Sequence, residues 1–141
     1  MEQEKRERAI ALLDEMMGPQ FRQAIMASVD GGGFGSALSG LAIEHCFADA
    51  WSRPGLDRRS RSLITMAFLL ASSKPEEFRN HARFGLNNGV TKDEMEELII
   101  QGAMYCGFPA ASVAQTVAVE VLRERGLLDA DVVSAKDRGL Y

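Results

Sequence analysis

Residues 51–73 read WSRPGLDRRSRSLITMAFLLASS, and this stretch predicts the most apolar helix of the chain. The Arg53-Pro54-Gly55 segment is typical of a turn, and Asp57 is a good N-cap for a helix that continues to about Ser73. Because apolar side chains cover most of the circumference, we expect a central, buried helix. These side chains are Leu63, Ile64, Met66, Ala67, Leu69 and Leu70.

The rest of the chain shows the same helical period, and no segment alternates as a β-strand does. Gly18, Gly89 and Gly107 are natural helix ends, and the run Gly31-Gly32-Gly33-Phe34-Gly35 predicts a flexible connection. We therefore expect an all-α, single-domain helical bundle of about six to eight helices. The predicted helices span about residues 2–17, 19–29, 36–50, 57–73, 75–88, 91–106 and 110–125.

Two segments have the sequence of a capping box at a helix start. They are Ser73-Lys74-Pro75-Glu76, with proline in the first turn, and Thr91-Lys92-Asp93-Glu94. We expect both to bond their own backbone and to fix where the two helices begin.

Composition and charge exclude several classes of function. The formal net charge of −4 argues against nucleic acid as a general partner. The N-terminal residues are too charged for a secretory signal, and the longest run without a charge or a proline is shorter than the roughly 20 residues of a membrane span. The distant cysteines Cys46 and Cys106 fit reduced thiols in a cytoplasmic protein.

Four arginines, Arg53, Arg58, Arg59 and Arg61, crowd the start of the apolar helix. Cations in the first turn oppose the helix dipole, so a sequence optimised only for stability would place acids there. A bound anion makes the arrangement favourable, since helix N–H groups and guanidinium groups both bind carboxylates. The other interpretation is that these arginines are solvated or pair with acids on another helix.

His81 is the other candidate for chemistry, because it shares a helical stripe with Phe78, Ala82 and Gly85 and should point inward. Such a histidine is either a hydrogen-bonded core residue or a catalytic one, and the sequence leaves both open. Tyr105, near the end of its helix, is an ambiguous candidate for lining a pocket. With two histidines and no acidic pair at ligand spacing, the sequence does not predict a protein-bound metal.

The segments WSRPGLDRRSRSL (51–63), PEEFRNHARFGLNNGVTKDEMEELI (75–99) and YCGFPAA (105–111) together resemble the carboxymuconolactone decarboxylase family. The resemblance extends from about Ala48 to Gly126. It implies an all-helical fold of the alkyl hydroperoxidase-D-like type, with residues 1–47 as an N-terminal helical segment of the same domain, 48–126 as the core and 127–141 as a C-terminal arm. It also implies ring-like homo-oligomers, commonly hexamers built as trimers of dimers.

The resemblance separates two branches of this superfamily. Relatives that act as thiol peroxidases have a CxxCxxxH motif, but here Lys74 and Glu77 stand at the cysteine positions, which argues against peroxidase chemistry. The decarboxylase branch has Arg53, Arg61, Ser62 and His81 at matching positions and an acid at Asp49. Ser112 stands where that branch often has asparagine, which leaves the exact substrate open.

The implied activity is the decarboxylation, without cofactor or metal, of 4-carboxymuconolactone or a close analogue in the catabolism of aromatic compounds. In such a substrate the ring conjugates the electrons left by CO2 into the lactone carbonyl. We expect some of Arg53, Arg58 and Arg61 to bind the retained carboxylate, with Trp51 forming a wall of the pocket. His81, at the usual histidine pKa near 6.5, would donate a proton or a hydrogen bond.

Ser62 and Asp49 are expected to have supporting roles, and two other functions are compatible with the same residues. Ser62 would add a hydrogen bond, and Asp49 would orient a ring nitrogen or an arginine. A related small-acid decarboxylase or isomerase, and a non-catalytic oligomeric protein that binds small acids, stay open as alternatives.

Overall fold

The computed structural model describes residues 2–140, in which seven α-helices and one π-helix occur and no strand is present. The all-α prediction is therefore confirmed. The chain divides into two compact units, with the boundary between Arg58 and Arg59. The helices are α1 Gln3–Met17, α2 Pro19–Asp30, α3 Ser36–Leu41, the π-helix Ala42–Trp51, α4 Arg58–Ala71, α5 Pro75–Asn87, α6 Lys92–Cys106 and α7 Phe108–Glu124.

In the first unit, α2 and the π-helix pack against the apolar face of α1, and α3 contacts α2 and the π-helix. Its core contains Ala9 and Leu13 of α1, Met26 of α2, and Ile43 and Ala48 of the π-helix. The α1–α2 corner is made by Gly18, whose φ of 82° lies in the region that favours glycine, followed by proline at the first position of α2.

The π-helix replaces the last two-thirds of the α-helix predicted over 36–50. Its bonds join residues i and i+5, so residues four and five apart share one face. One such pair is Glu44 and Asp49, and Lys5 of α1 forms ion pairs with both, at 3.3 Å and 2.7 Å from its Nζ atom. In an α-helix the same two carboxylates would diverge, so this contact favours the wider turn.

The second unit buries one apolar cluster shared by α4, α5, α6 and α7. Gly102 of α6 lies so close to α4 that a Cβ atom there would come 2.8 Å from both Cδ atoms of Leu70. The cluster contains Met66, Leu70, Phe78, Ala82, Val90, Met95, Ala114, Val117, Ala118, Val121 and Leu122.

Helix α4 is less buried than its composition predicted. Only Ser62, Met66 and Leu70 are buried, while Ile64 is exposed and Phe68 is 68% exposed. The expectation of a fully buried central helix is wrong for this chain taken by itself, because α5 and α6 cover only part of its circumference.

The two predicted capping boxes differ in outcome. Thr91 and Glu94 form theirs, with the backbone N–H of Glu94 donating to Thr91 Oγ1 at 3.1 Å. The box at Ser73 is wrong, since Lys74 is the N-cap of α5 and makes no side-chain cap bond. Ser73 has a φ of 53° and donates its N–H to the Leu70 carbonyl, so it terminates α4 and cannot cap α5.

Residues 127–140 form a non-helical arm that is bonded to α7. The Asp137 carboxylate accepts from the Arg123 guanidinium at 2.8 Å and from the backbone N–H of Ser134 at 2.7 Å. Within residues 2–140, no helix has the length and apolar character needed to cross a membrane.

Candidate active site

The first unit contains a cavity of about 400 Å³ beside Trp51. Trp51 ends the π-helix, and the turn that follows it brings Arg53 and Arg58 to the same cavity, so three predicted binding residues lie around one space. Helix α1 lines the same cavity with Leu12 and Glu15, and no motif in the sequence marks either of them as a site residue.

Acidic side chains already neutralise part of the arginine cluster. Arg58 forms an ion pair with Glu15, and Arg59 forms one with Glu94 of α6. The Arg59 guanidinium, followed by the Thr91 backbone, holds the pKa of Glu94 below its usual value. Pairing with acids of other helices therefore accounts for two of the four arginines, while Arg53 lines the cavity.

Asp49 bonds a ring nitrogen, that of His45, and its second partner is Lys5 rather than an arginine. Its Oδ2 atom lies 2.7 Å from Lys5 Nζ and 3.1 Å from His45 Nδ1. The hydrogen bond from Lys5, and then that from His45, lowers the pKa of Asp49. Within the first unit, this carboxylate therefore orients the ring of His45 and ties the π-helix to α1.

Arg61 and Ser62 lie on α4 in the second unit, and Ser62 is fully buried there. Its Oγ atom accepts a hydrogen bond from Asn88 Nδ2 at 3.0 Å. Asn88 is the C-cap of α5, at the end of the helix predicted over 75–88. The pair joins α4 to the end of α5, and the role of Ser62 toward a substrate stays a prediction.

His81 points inward from α5, as its stripe predicted. Its ring makes an edge-on contact with Phe84, with centroids 5.4 Å apart and planes at 81°. Burial lowers the pKa of His81 to about 4, so the imidazole is neutral at pH 7. The expectation of an ordinary pKa near 6.5 is therefore corrected, because it assumed a solvated ring.

Tyr105 lies on α6 in the second unit, and the cavity that it lines does not include His81, Arg61 or Ser62. It is strongly exposed and lines a cavity of about 280 Å³ with Ala67 and Gln101. Both cysteines are free thiols. Within the part of the chain that the structure describes, no three His, Cys, Asp or Glu side chains are grouped so as to hold a metal ion.

Comparison with known proteins agrees with the motifs. The family model described as "Carboxymuconolactone decarboxylase family" matches residues 37–120. A 4-carboxymuconolactone decarboxylase of Acinetobacter baylyi is 43% identical over 94 residues, which are 67% of this chain and 70% of that protein. A nitrosuccinic acid decarboxylase of Metarhizium robertsii is 36% identical over 84 residues, 60% of this chain and 59% of that protein.

Both of these relatives are carboxy-lyases by name, which is the enzyme class that the resemblance implied. The matched residues include the WSRPGL turn, α4 and α5, and therefore most of the residues discussed above. Since the family model covers more than half of its residues, this chain belongs to the carboxymuconolactone decarboxylase family.

Proposed function

We propose that this chain decarboxylates a small dicarboxylic acid, 4-carboxymuconolactone or a close analogue, without a cofactor. The observation that supports the anion-binding part most directly is the cavity beside Trp51, where Arg53 and Arg58 line one space next to an aromatic wall. Such a combination of apolar surface and a few guanidinium groups suits a small organic acid.

The two acids named for the relatives share the chemistry that matters. Each has two carboxylates and an electron acceptor placed to receive the electrons of the broken C–C bond, a conjugated lactone in one and a nitro group in the other. The substrate therefore supplies its own electron sink. Aromatic catabolism is the proposed context for the lactone, and a nitro acid is the second candidate substrate.

The proposed reaction balances without an oxidant or reductant. The C–C bond to one carboxylate breaks, CO2 leaves, and the electron pair moves into the acceptor to give a dienolate or a nitronate. One proton then adds to carbon, so a dianion and a proton yield CO2 and a monoanion. The protein must anchor the retained carboxylate, stabilise the new oxyanion and provide a path for the proton.

The proposed roles follow from the charge state of each group. Arg53, Arg58 and Arg61 bind the retained carboxylate, because a strong hold on the departing one would raise the barrier. Neutral His81 donates an N–H hydrogen bond to the developing oxyanion. A pKa of about 4 leaves too little imidazolium at pH 7 for His81 to be the resting proton source.

The test is a decarboxylation assay with the purified chain. Substrate depletion and CO2 release are followed for 4-carboxymuconolactone and for nitrosuccinate, with and without a chelator. We expect turnover of at least one acid that a chelator does not change. We expect His81→Gln to lower kcat about 100-fold or more, and Arg53→Gln to raise KM and to weaken the dependence of KM on salt.

A matched control is Arg22→Gln, since Arg22 pairs with Asp14 and does not line the cavity. Normal turnover by His81→Gln would remove His81 from the mechanism. Thermal stabilisation by either acid without CO2 release would favour the non-catalytic binding protein instead. We expect a peroxidase assay with a dithiol reductant to be negative.

We also propose that the chain self-associates, through the exposed groove between α4 and α6. Two adjoining cavities of about 540 Å³ and about 280 Å³ share Ala67 and Leu98 in their walls. Ile64 and Tyr105 are exposed along the same groove. A continuous apolar surface of this kind is typical of protein interfaces, and the family resemblance favours a homo-oligomer, commonly a hexamer.

A further inference from the structure

Helix α1 presents one face to the cavity beside Trp51. Arg8, Leu12 and Glu15 all line that cavity, and their spacing of four and three residues places them on one side of the helix. Leu12 is buried and forms an apolar part of the wall, while Arg8 contributes a positive charge and Glu15 a negative charge. Helix α1 therefore contributes both wall and charge to the proposed substrate cavity, although it precedes the residues matched by the family model.

We propose that Arg8 is a further substrate-binding residue, which binds the retained carboxylate of a small dicarboxylic acid together with Arg53 and Arg58. The inference rests on the proposed function. It assigns a specificity-determining role to α1.

The charges around the cavity favour an anion. Its lining contains three arginines, Arg8, Arg53 and Arg58, and two acids, Glu15 and Asp57, so the local formal charge is 3 − 2 = +1. The whole chain has a formal charge of −4. The lining is therefore locally positive on an acidic protein, although Glu4, outside the lining, offsets one of these charges through its pair with Arg8. A ligand carboxylate that displaces Glu4 would meet this net positive charge.

The acidic partner of Arg8 is more easily replaced than that of Arg58. It pairs with Glu4 at 3.0 Å, and the side chain of Glu4 is 84% exposed. The corresponding partner of Arg58, Glu15, is 59% exposed and itself lines the cavity. Exposed pairs within one helix contribute little to stability, so a substrate carboxylate can take the place of Glu4 at small cost.

The size and walls of the cavity set the class of ligand. Its volume of about 400 Å³ is within the range of small-molecule sites, and Trp51 and Leu12 provide apolar surface for a carbon skeleton. A guanidinium group binds a carboxylate through two parallel hydrogen bonds. Because the retained carboxylate is present in both ground and transition states, loss of Arg8 should raise KM and leave kcat nearly unchanged.

The test uses Trp51, the single tryptophan of the chain, as a fluorescent reporter of binding. Succinate, an unreactive dicarboxylate, is titrated into the wild type, Arg8→Gln and Arg6→Gln. Arg6 is the control because it lies on the same helix, pairs with Asp30 and does not line the cavity. We expect Arg8→Gln to weaken succinate binding about 10-fold, and to raise KM similarly, while Arg6→Gln behaves as the wild type.

Two further measurements make the result decisive. Arg8→Lys keeps the positive charge but lacks the planar guanidinium that forms two parallel hydrogen bonds to a carboxylate. We therefore expect its affinity for succinate to lie between those of the wild type and Arg8→Gln. Circular dichroism verifies that each variant folds. If Arg8→Gln matches the wild type in both succinate affinity and KM, the inference is overturned even where the wild type decarboxylates its substrate.

The inference and the proposed function fail in different ways. If the wild type decarboxylates neither acid but Arg8→Gln still loses succinate binding, the anion site stands and the proposed function fails. If succinate does not bind the wild type, the inference is tested by comparing the KM of Arg8→Gln for the reactive acid with that of the wild type. Absence of both binding and an effect on KM overturns the assignment of Arg8.

Discussion

His81 is the side chain whose chemistry depends most on its surroundings. The sequence predicted its inward direction, because the helical stripe of α5 fixes that. The charge state could not be predicted in the same way, since the pKa of about 4 results from burial by neighbours distant in sequence. The ion-pair partners of Arg58 and Arg59 could not be predicted either, because these acids lie 43 and 35 positions away in the sequence.

The low pKa of His81 makes the stability of the fold dependent on pH. Unfolded, the ring takes up a proton near pH 6.5, whereas in the folded chain it does so near pH 4. Between these values the unfolded chain binds more protons, so the free energy of unfolding falls as the pH falls from about 6.5 to 4. The loss from this group is at most about 3.5 kcal/mol, since a pKa difference of one corresponds to about 1.4 kcal/mol.

We therefore expect the wild type to lose more stability than His81→Gln when the pH is lowered from 7.5 to 4.5. Urea denaturation midpoints at the two pH values measure this difference, and the comparison cancels the titration of carboxylates common to both proteins. Equal losses in the two proteins would show that His81 titrates near its ordinary pKa.

Among the helices, periodicity predicted the elements well where local signals decide their ends. Gly18, Gly89 and Gly107 all have positive φ and lie at the predicted helix ends. The failures are Ser73 and the π-helix. At Ser73 the end of α4 and the start of α5 compete for one residue, and the π-helix forms ion pairs with Lys5, at least 39 positions earlier in the chain. A short sequence window reveals neither the competition at Ser73 nor the distant contact of the π-helix.

The ion pairs of Lys5 give a test of what holds the π-helix. In Lys5→Met, Glu44 and Asp49 keep their negative charges on a shared face and lose their common cation. We expect Tm to fall by a few degrees, and the emission of Trp51, at the end of the same helix, to shift. Lys74→Met, in the second unit, is the control and should leave the Trp51 emission unchanged. Unaltered Tm and emission in Lys5→Met would show that the π-helix does not need these ion pairs.

For the chain as a whole, the motifs predicted family and enzyme class better than they predicted exposure. WSRPGL and NNGVT are local signatures, so one sequence suffices to find them. The exposure of Ile64 and Phe68 could not be predicted, because an apolar helix surface looks alike in sequence whether its own chain or another chain covers it.

Self-association has a direct test. The monomer mass is 15.4 kDa, and we expect light scattering to give a multiple of it for the wild type. Ile64→Lys places a cation in the α4–α6 groove, beside the acidic residues Asp93 and Glu97, so the fold should tolerate it while the oligomer dissociates. Leu38→Lys, at an exposed leucine of the first unit, is the matched control. A monomeric wild type, or an Ile64→Lys variant of unchanged mass, would contradict the proposed interface.

The anchored arm sets an order of events on acidification. The hydrogen bond from Arg123, followed by that from the Ser134 backbone, lowers the pKa of Asp137 to about 2. The anchoring contribution of this carboxylate is present above its usual pKa of 3.8 and is lost only as the pH falls through about 2. His81 titrates first, near pH 4. Acid should therefore loosen the interior of the second unit while its tail is still fastened, the reverse of the fraying from the ends that is usual in small proteins.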